Sequence, residues 1–94
     1  MEPLETKLEN MATEYALKHG MLVLKLNVKG RIGWPDRIFA FDGRVMFIEF
    51  KRKGESLRPA QEYVHSQLRK HKLTVYVVDT IEQAYEVING FARG

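Results

Sequence analysis

The chain has 94 residues, of which 45% are apolar and 29% charged, and it contains no cysteine. That is enough for one small hydrophobic core, and it excludes a disulfide framework, a cysteine zinc site and a low-hydropathy disordered chain. Net charge is +3 with a pI near 9.3, a mild basic surplus whose placement matters more than its size.

No stretch approaches the roughly 18 apolar residues of a membrane span, and no basic-then-apolar leader opens the chain. The expectation is a single soluble domain over residues 1–94, cytoplasmic and without membrane contact.

Residues 3 to 19 read as a helix. Leu4, Leu8, Met11, Ala12, Tyr15 and Ala16 recur on one apolar stripe, Pro3 suits the first turn and Gly20 the stop. Glu5, Glu9 and Glu14 lie on this helix, and from pattern alone each reads as solvent-facing. Residues 21 to 28 form a first strand on the alternation of Leu22, Leu24, Leu26 and Val28, with Lys25 on the opposite face. Residues 29 to 33 make a basic turn whose glycines allow close approach to a phosphate, although a generic loop explains them equally well. Trp34 is expected to pack a loop or meet a second copy of the chain in preference to stacking on a base.

Residues 37 to 41 and 45 to 50 read as paired strands, because Asp42-Gly43 between them is a strong two-residue hairpin signal. If these two residues form the loop, Phe41 pairs with Arg44 and Asp36 falls opposite Glu49, with Cβ atoms about 5 Å apart. Lys51 shares the face of Glu49 through the strand period of two, whereas Arg37 alternates to the other face. Two carboxylates that close repel by roughly 3 kcal/mol at an effective dielectric near 20. A divalent cation relieves that repulsion, and oxygen donors at this density suit Mg²⁺ or Mn²⁺. His19, His65 and His71 show no zinc spacing. A lysine beside a metal-bound water stabilises a developing hydroxide or phosphorane, so the chemistry implied is metal-assisted phosphodiester hydrolysis. Taken separately, Pro-Asp is a common turn and Glu-x-Lys a common solvated ion pair; the hairpin-matched spacing is what favours a site.

Residues 51 to 56 are a polar connection. Pro59 opens a helix from about 58 to 71, with Ser56 as a nearby cap and a mixed face of Gln61, Tyr63, Val64, Leu68 and Arg69. His65 on this helix reads as a packing or surface residue sooner than as a general base. Residues 73 to 78 are a β-branched run that predicts a buried central strand. Thr80 caps a closing helix with Ile81, Ala84, Tyr85 and Ile88 on its apolar stripe, ending near Gly90. The order is α-β-β-β-α-β-α, an α/β class.

Gly33-Trp34-Pro35-Asp36, a strand, a glycine-containing turn and then Ile48-Glu49-Phe50-Lys51 resemble the PD-(D/E)XK nuclease superfamily. The resemblance is closest to the small stand-alone VRR-NUC domains of phages and bacteria, and it runs from about Leu4 to Val87. It also takes in Leu24-Lys25-Leu26-Asn27, Leu57-x-Pro59-x-Gln61 and the last strand through Asp79. The fold it implies is a restriction-endonuclease-like core, a mixed central sheet flanked by helices. The activity it implies is Mg²⁺-dependent DNA cleavage, with Mn²⁺ able to substitute. By this resemblance Asp36, Glu49, the backbone carbonyl of Phe50 and a first-helix glutamate hold metal; Glu5 matches best, then Glu9, then Glu14. Lys51 positions or activates water, and Gln61 orients the site. Lys25, Arg31, Lys53 and Arg58 then contact phosphates. Stand-alone members pair as homodimers and act on branched DNA, including four-way (Holliday) junctions. Two other readings stay open: a nucleic-acid-binding module with weak or no catalysis, and a restriction-type nuclease reading one duplex sequence.

Overall fold

A computed structural model describes residues 3–94. Its elements are α1 (Leu4–Lys18), β1 (Leu22–Lys25), β2 (Arg37–Phe41), β3 (Arg44–Phe50), α2 (Pro59–Lys70), β4 (Thr74–Val78) and α3 (Ile81–Arg93). Asp42 and Gly43 have φ of 50° and 77°, the positive pair that a type I′ hairpin requires. Phe41 accordingly pairs with Arg44 and Arg37 with Ile48, the predicted register. The sheet order is β1-β2-β3-β4, with β1, β2 and β3 antiparallel and β4 parallel to β3 through the α2 crossover.

Strand alternation divides the core in two. Phe39, Met46, Ile48 and Phe50 face α1 and α3, where Leu8, Ala12, Ala16, Ala84 and Ile88 close over them. Phe47 and Val75 point to the other face and are covered by Leu68 of α2. Tyr15 of α1 donates its hydroxyl to Asn89 of α3 at 2.8 Å, which ties the two helices on the larger core together. Among the described residues no helix is long and apolar enough to cross a membrane.

Four expectations need correction. The first strand is half the predicted length, four residues. Leu26 still donates its backbone N–H to the Asp36 carbonyl at 2.9 Å, but Pro35 follows on the partner side and has no N–H to extend the ladder. Leu22 and Leu24 are exposed because α2 lies over β3 and β4 and leaves this end of the sheet bare. The run at 74–78 is an edge strand and not a buried central one: Val75 and Val78 are buried, but Thr74, Tyr76 and Val77 are exposed, because β3 flanks it on one side only. On α1, Leu4 and Met11 are exposed, whereas Glu9 joins the buried stripe.

The helix ends show the fourth difference. Arg58, not Ser56, is the N-cap of α2, and its backbone N–H is satisfied by Gln61 Oε1 at 2.9 Å. Thr80 does cap α3, accepting from the Gln83 N–H at 3.2 Å. That helix runs past Gly90 to Arg93, because Phe91 and Ala92 pack on the core. Arg44 donates to the Phe91 carbonyl at 2.7 Å and satisfies one of the orphaned acceptors of the last turn.

Gly33 fixes the loop between β1 and β2 against the start of α2. Its φ is +90°, and a Cβ there would overlap the Ala60 carbonyl. Gly33→Ala is therefore expected to cost about 2–3 kcal/mol in urea unfolding, from backbone strain plus overlap. Gly43→Ala, with a positive φ but open space around it, is expected to cost only about 1 kcal/mol. Equal losses at the two positions would contradict the close approach.

Candidate active site

The end of the β2–β3 hairpin away from the turn is where the chemistry collects. The β2–β3 ladder ends at Arg37 and Ile48, and the same register carried one step further sets Asp36 beside Glu49. There Asp36 Oδ2 accepts the Phe50 backbone N–H at 2.7 Å. The hydrogen bond fixes the Asp36 carboxylate against β3. Lys51 continues the parallel ladder by donating its backbone N–H to the Val78 carbonyl at 2.9 Å, which keeps it extended and on the face of Glu49. Asp36 and Arg37 diverge by the same alternation. Arg37 Nε donates to Glu9 Oε2 at 2.6 Å, and Lys25 Nζ reaches the same oxygen at 3.3 Å.

Asp36, Glu49, Lys51 and Glu9, but neither Arg37 nor Lys25, line a polar cleft of about 490 Å³. Glu5 and Glu9 come from the first two turns of α1, Asp36, Glu49, Phe50 and Lys51 from the hairpin, and Arg58 and Gln61 from the start of α2. The N-termini of α1 and α2 both end at this cleft, and such ends favour anions. A larger apolar groove of about 860 Å³ lies alongside, between the 30–34 loop and α2. It holds no carboxylate, so the polar cleft is the candidate site.

Glu49 and Lys51 are nearly inaccessible, 3% and 6% exposed, although carboxylates and ammonium groups are rarely buried without partners. Gln61 Nε2 donates to Glu49 Oε2 at 3.2 Å, while Oε1 has no hydrogen-bond partner. Lys51 makes no ion pair among the described residues. Burial pushes the Asp36 carboxyl up to about 6, and the charges of Glu49 and Glu9 add to that rise. The Phe50 N–H and Lys25 pull it part of the way back. Glu5 differs: the Arg52 guanidinium, bonded to it at 2.7 Å, holds its carboxyl below the usual range.

Asp36, Glu49, Phe50, Lys51, Gln61, Glu5 and Arg58 are thus brought together as the sequence predicted, with Glu9 beside them. Glu14 lies outside the cleft, as do Arg31 and Lys53. Arg31 lines the apolar groove, and Lys53 a shallow hollow between α1 and the start of α3. Lys25 reaches the cleft only through Glu9. His65, read from the sequence as a packing or surface residue, is fully buried, and the sequence reading did not anticipate that its Nε2 lies 3.6 Å from Glu49 Oε1. The available signal was its place one helical turn after Gln61, on the same helix face. Trp34 packs edge-on to Phe47, with ring centroids 6.4 Å apart, in line with a loop-packing role.

Asp36, Glu49 and the Phe50 carbonyl are the groups that could hold a divalent cation. The charges of Asp36 and Glu49 oppose each other, a penalty that a cation between them would offset. The third carboxylate, Glu5 or Glu9, is held by arginine or lysine. Among the described residues no group of three or more His, Asp or Glu side chains is placed to hold a metal ion, so any ion here would rest on Asp36, Glu49 and backbone oxygen.

No family model matches the sequence, and no curated protein matches it. Among solved structures, one described as a VRR_NUC domain superposes with a TM-score of 0.86 at 30% sequence identity. The match covers 94% of this chain and 97% of that chain. Three helices and a four-stranded mixed sheet in this order are the fold of a nuclease-type domain. The chain belongs to the VRR_NUC domain family.

Proposed function

We propose that this protein is a metal-dependent DNA endonuclease acting at the Asp36–Glu49–Lys51 cleft. The observation that carries the reading is a nearly inaccessible carboxylate, Glu49, beside a second acid, Asp36, and a buried lysine, Lys51, that makes no ion pair among the described residues. No structural need accounts for that combination, because a fold gains nothing from burying uncompensated charge.

Asp36, Glu49 and the Phe50 carbonyl hold Mg²⁺, or Mn²⁺ in its place, with Glu5 as the first-helix donor and Glu9 as the alternative. Bound there, the ion would lower the pKa of water and neutralise charge on the reacting phosphate. The protein supplies the rest. Lys51, which lines the cleft, orients the attacking water and meets the charge that develops on the phosphate. Gln61 holds Glu49 Oε2 while satisfying the N-terminus of α2, so the carboxylate is tied to a rigid element. The helix N-termini favour the phosphate entering the cleft.

Lys25, Arg31, Lys53 and Arg58 hold flanking phosphates. Arg58 lines the cleft, Lys25 reaches it through Glu9, and Arg31 and Lys53 line neighbouring hollows, a spread that suits an extended polyanion better than a small ligand, and nothing among them resembles a base-reading element. Branched DNA such as four-way junctions is the substrate that this reading favours. A two-fold dimer then supplies one cleft for each of two cuts. Replacing Lys53 or Arg31 by Ala is expected to weaken binding evenly across sequences and reduce the salt slope by about 1 each. Fluorescence anisotropy on junction DNA at several salt concentrations measures both quantities.

The test is cleavage of linear, flap, splayed and four-way DNA with Mg²⁺, Mn²⁺ or EDTA, beside Asp36→Ala and Lys51→Ala. Metal-dependent cutting of branched DNA, lost in both variants, is the expected result. A second reading is a DNA-binding module with weak or no catalysis. It is favoured by the ion pairs that occupy Glu5 and Glu9. Binding without cutting under every metal condition selects it, and cleavage of one unbranched duplex sequence selects a restriction-type enzyme.

A further inference from the structure

Three buried side-chain atoms among the described residues have no hydrogen-bond partner: Glu49 Oε1, His65 Nδ1 and His65 Nε2. Two of the three face each other, since His65 Nε2 lies 3.6 Å from Glu49 Oε1. Both residues are buried, with side chains 1% exposed for His65 and 4% for Glu49. Gln61, one turn earlier on α2, already donates to the other oxygen of the same carboxylate.

We propose that His65 is a positioning residue for Glu49, with the imidazole tautomer protonated on Nε2 donating to Oε1. Of the two neutral tautomers only this one makes the contact attractive. A proton on Nδ1 would turn the Nε2 lone pair toward a carboxylate oxygen and leave a buried N–H with no acceptor. Orphaned buried N–H groups are rarer than under-used acceptors, so the Nε2–H form also leaves the lesser penalty at Nδ1. A small closure of the 3.6 Å gap brings the pair within hydrogen-bond range.

The consequence is a carboxylate clamped at both oxygens by one helix. Gln61 holds Oε2 and His65 holds Oε1, four residues apart and on one helix face. A carboxylate has about four lone-pair sites, so two donors from α2 leave acceptor capacity turned toward the cleft. Partners of this kind orient a ligand and tune its basicity without touching the ion. The role toward a cation rests on the function proposed above; the Glu49 contact itself does not.

The test has two parts. Imidazole ¹H–¹⁵N spectra of the metal-free full chain are expected to show His65 protonated on Nε2, with a shift on Glu49→Gln. Mn²⁺ binding is then measured by calorimetry on wild type, His65→Leu and His65→Gln, with thermal melts to confirm folding. His65→Leu is expected to keep its fold and bind Mn²⁺ about 10–100-fold more weakly. His65→Gln, whose amide reaches the same oxygen, is expected to recover most of that loss. An Nδ1–H tautomer in wild type, or wild-type Mn²⁺ affinity in a folded His65→Leu protein, overturns the proposal. If His65→Leu fails to fold, an affinity in His65→Gln far below wild type overturns it, and retained affinity together with the Nε2–H tautomer upholds it. Wild type that neither binds Mn²⁺ nor cuts DNA overturns the proposed function instead, and the tautomer alone then decides the contact.

Discussion

Glu49→Gln is expected to reduce Mg²⁺-supported cleavage by at least about 10²–10³-fold while the chain still folds. The substitution keeps the shape of a side chain that is 3% exposed and keeps an oxygen for Gln61, so packing has little reason to change. Its effect is electrostatic. It removes one of the two opposed charges that a cation in this cleft would balance, and with it the Glu49 share of the rise at Asp36. Single-turnover cleavage of four-way DNA and urea unfolding, run on the same preparation, separate the two effects. Lys51→Met is the companion variant: it preserves most of the buried stem and deletes only the ammonium group, and a rate loss of similar size is expected. A Glu49→Gln protein that cuts at the wild-type rate rules out this cleft as the place of reaction.

The second large effect concerns stability and pH in the metal-free protein. Asp36 has its carboxyl raised from 3.8 to about 6, so the folded state binds this proton more tightly than the unfolded state does. Below pH 3.8 the group contributes no difference between the two states. As pH rises from 3.8 through 6 the folded state is penalised, and above 6 the penalty is fully present. Two units would correspond to about 3 kcal/mol; because the carboxylate is only half-buried, solvent screening lowers this to about 1–2 kcal/mol. Metal-free protein is therefore expected to melt at a higher temperature near pH 5 than near pH 8, with respect to this group. Asp36→Asn should flatten that dependence and gain about 1 kcal/mol at pH 8. Added Mg²⁺ should stabilise wild type at pH 8 and do nothing for the variant. A melting temperature that falls from pH 8 to pH 5 equally in wild type and Asp36→Asn would show that Asp36 carries no such penalty.

Much of this protein is decided by short-range sequence chemistry. Asp42-Gly43 admits only a tight turn with two positive φ values, and a two-residue turn leaves a single register. Once the register is set, the period of two places Asp36, Glu49 and Lys51 on one face and sends Arg37 to the other. Local signals therefore determined the hairpin, the two acids and the lysine, and the cap at Thr80. Everything that depends on which element covers which face was left to tertiary packing. β4 lies at the edge, Leu22 and Leu24 remain exposed, and α3 runs past a glycine because distant apolar partners reward three more residues. The environments of Glu5, Glu9 and His65 were settled the same way. An isolated helix shows only that a glutamate or histidine lies on a face; the pairing of Glu9 with Arg37, Glu5 with Arg52 and His65 with Glu49 is set by other segments of the chain. Charge and desolvation act through space, so the ionisable groups that matter most here acquired their character only when the chain closed on itself.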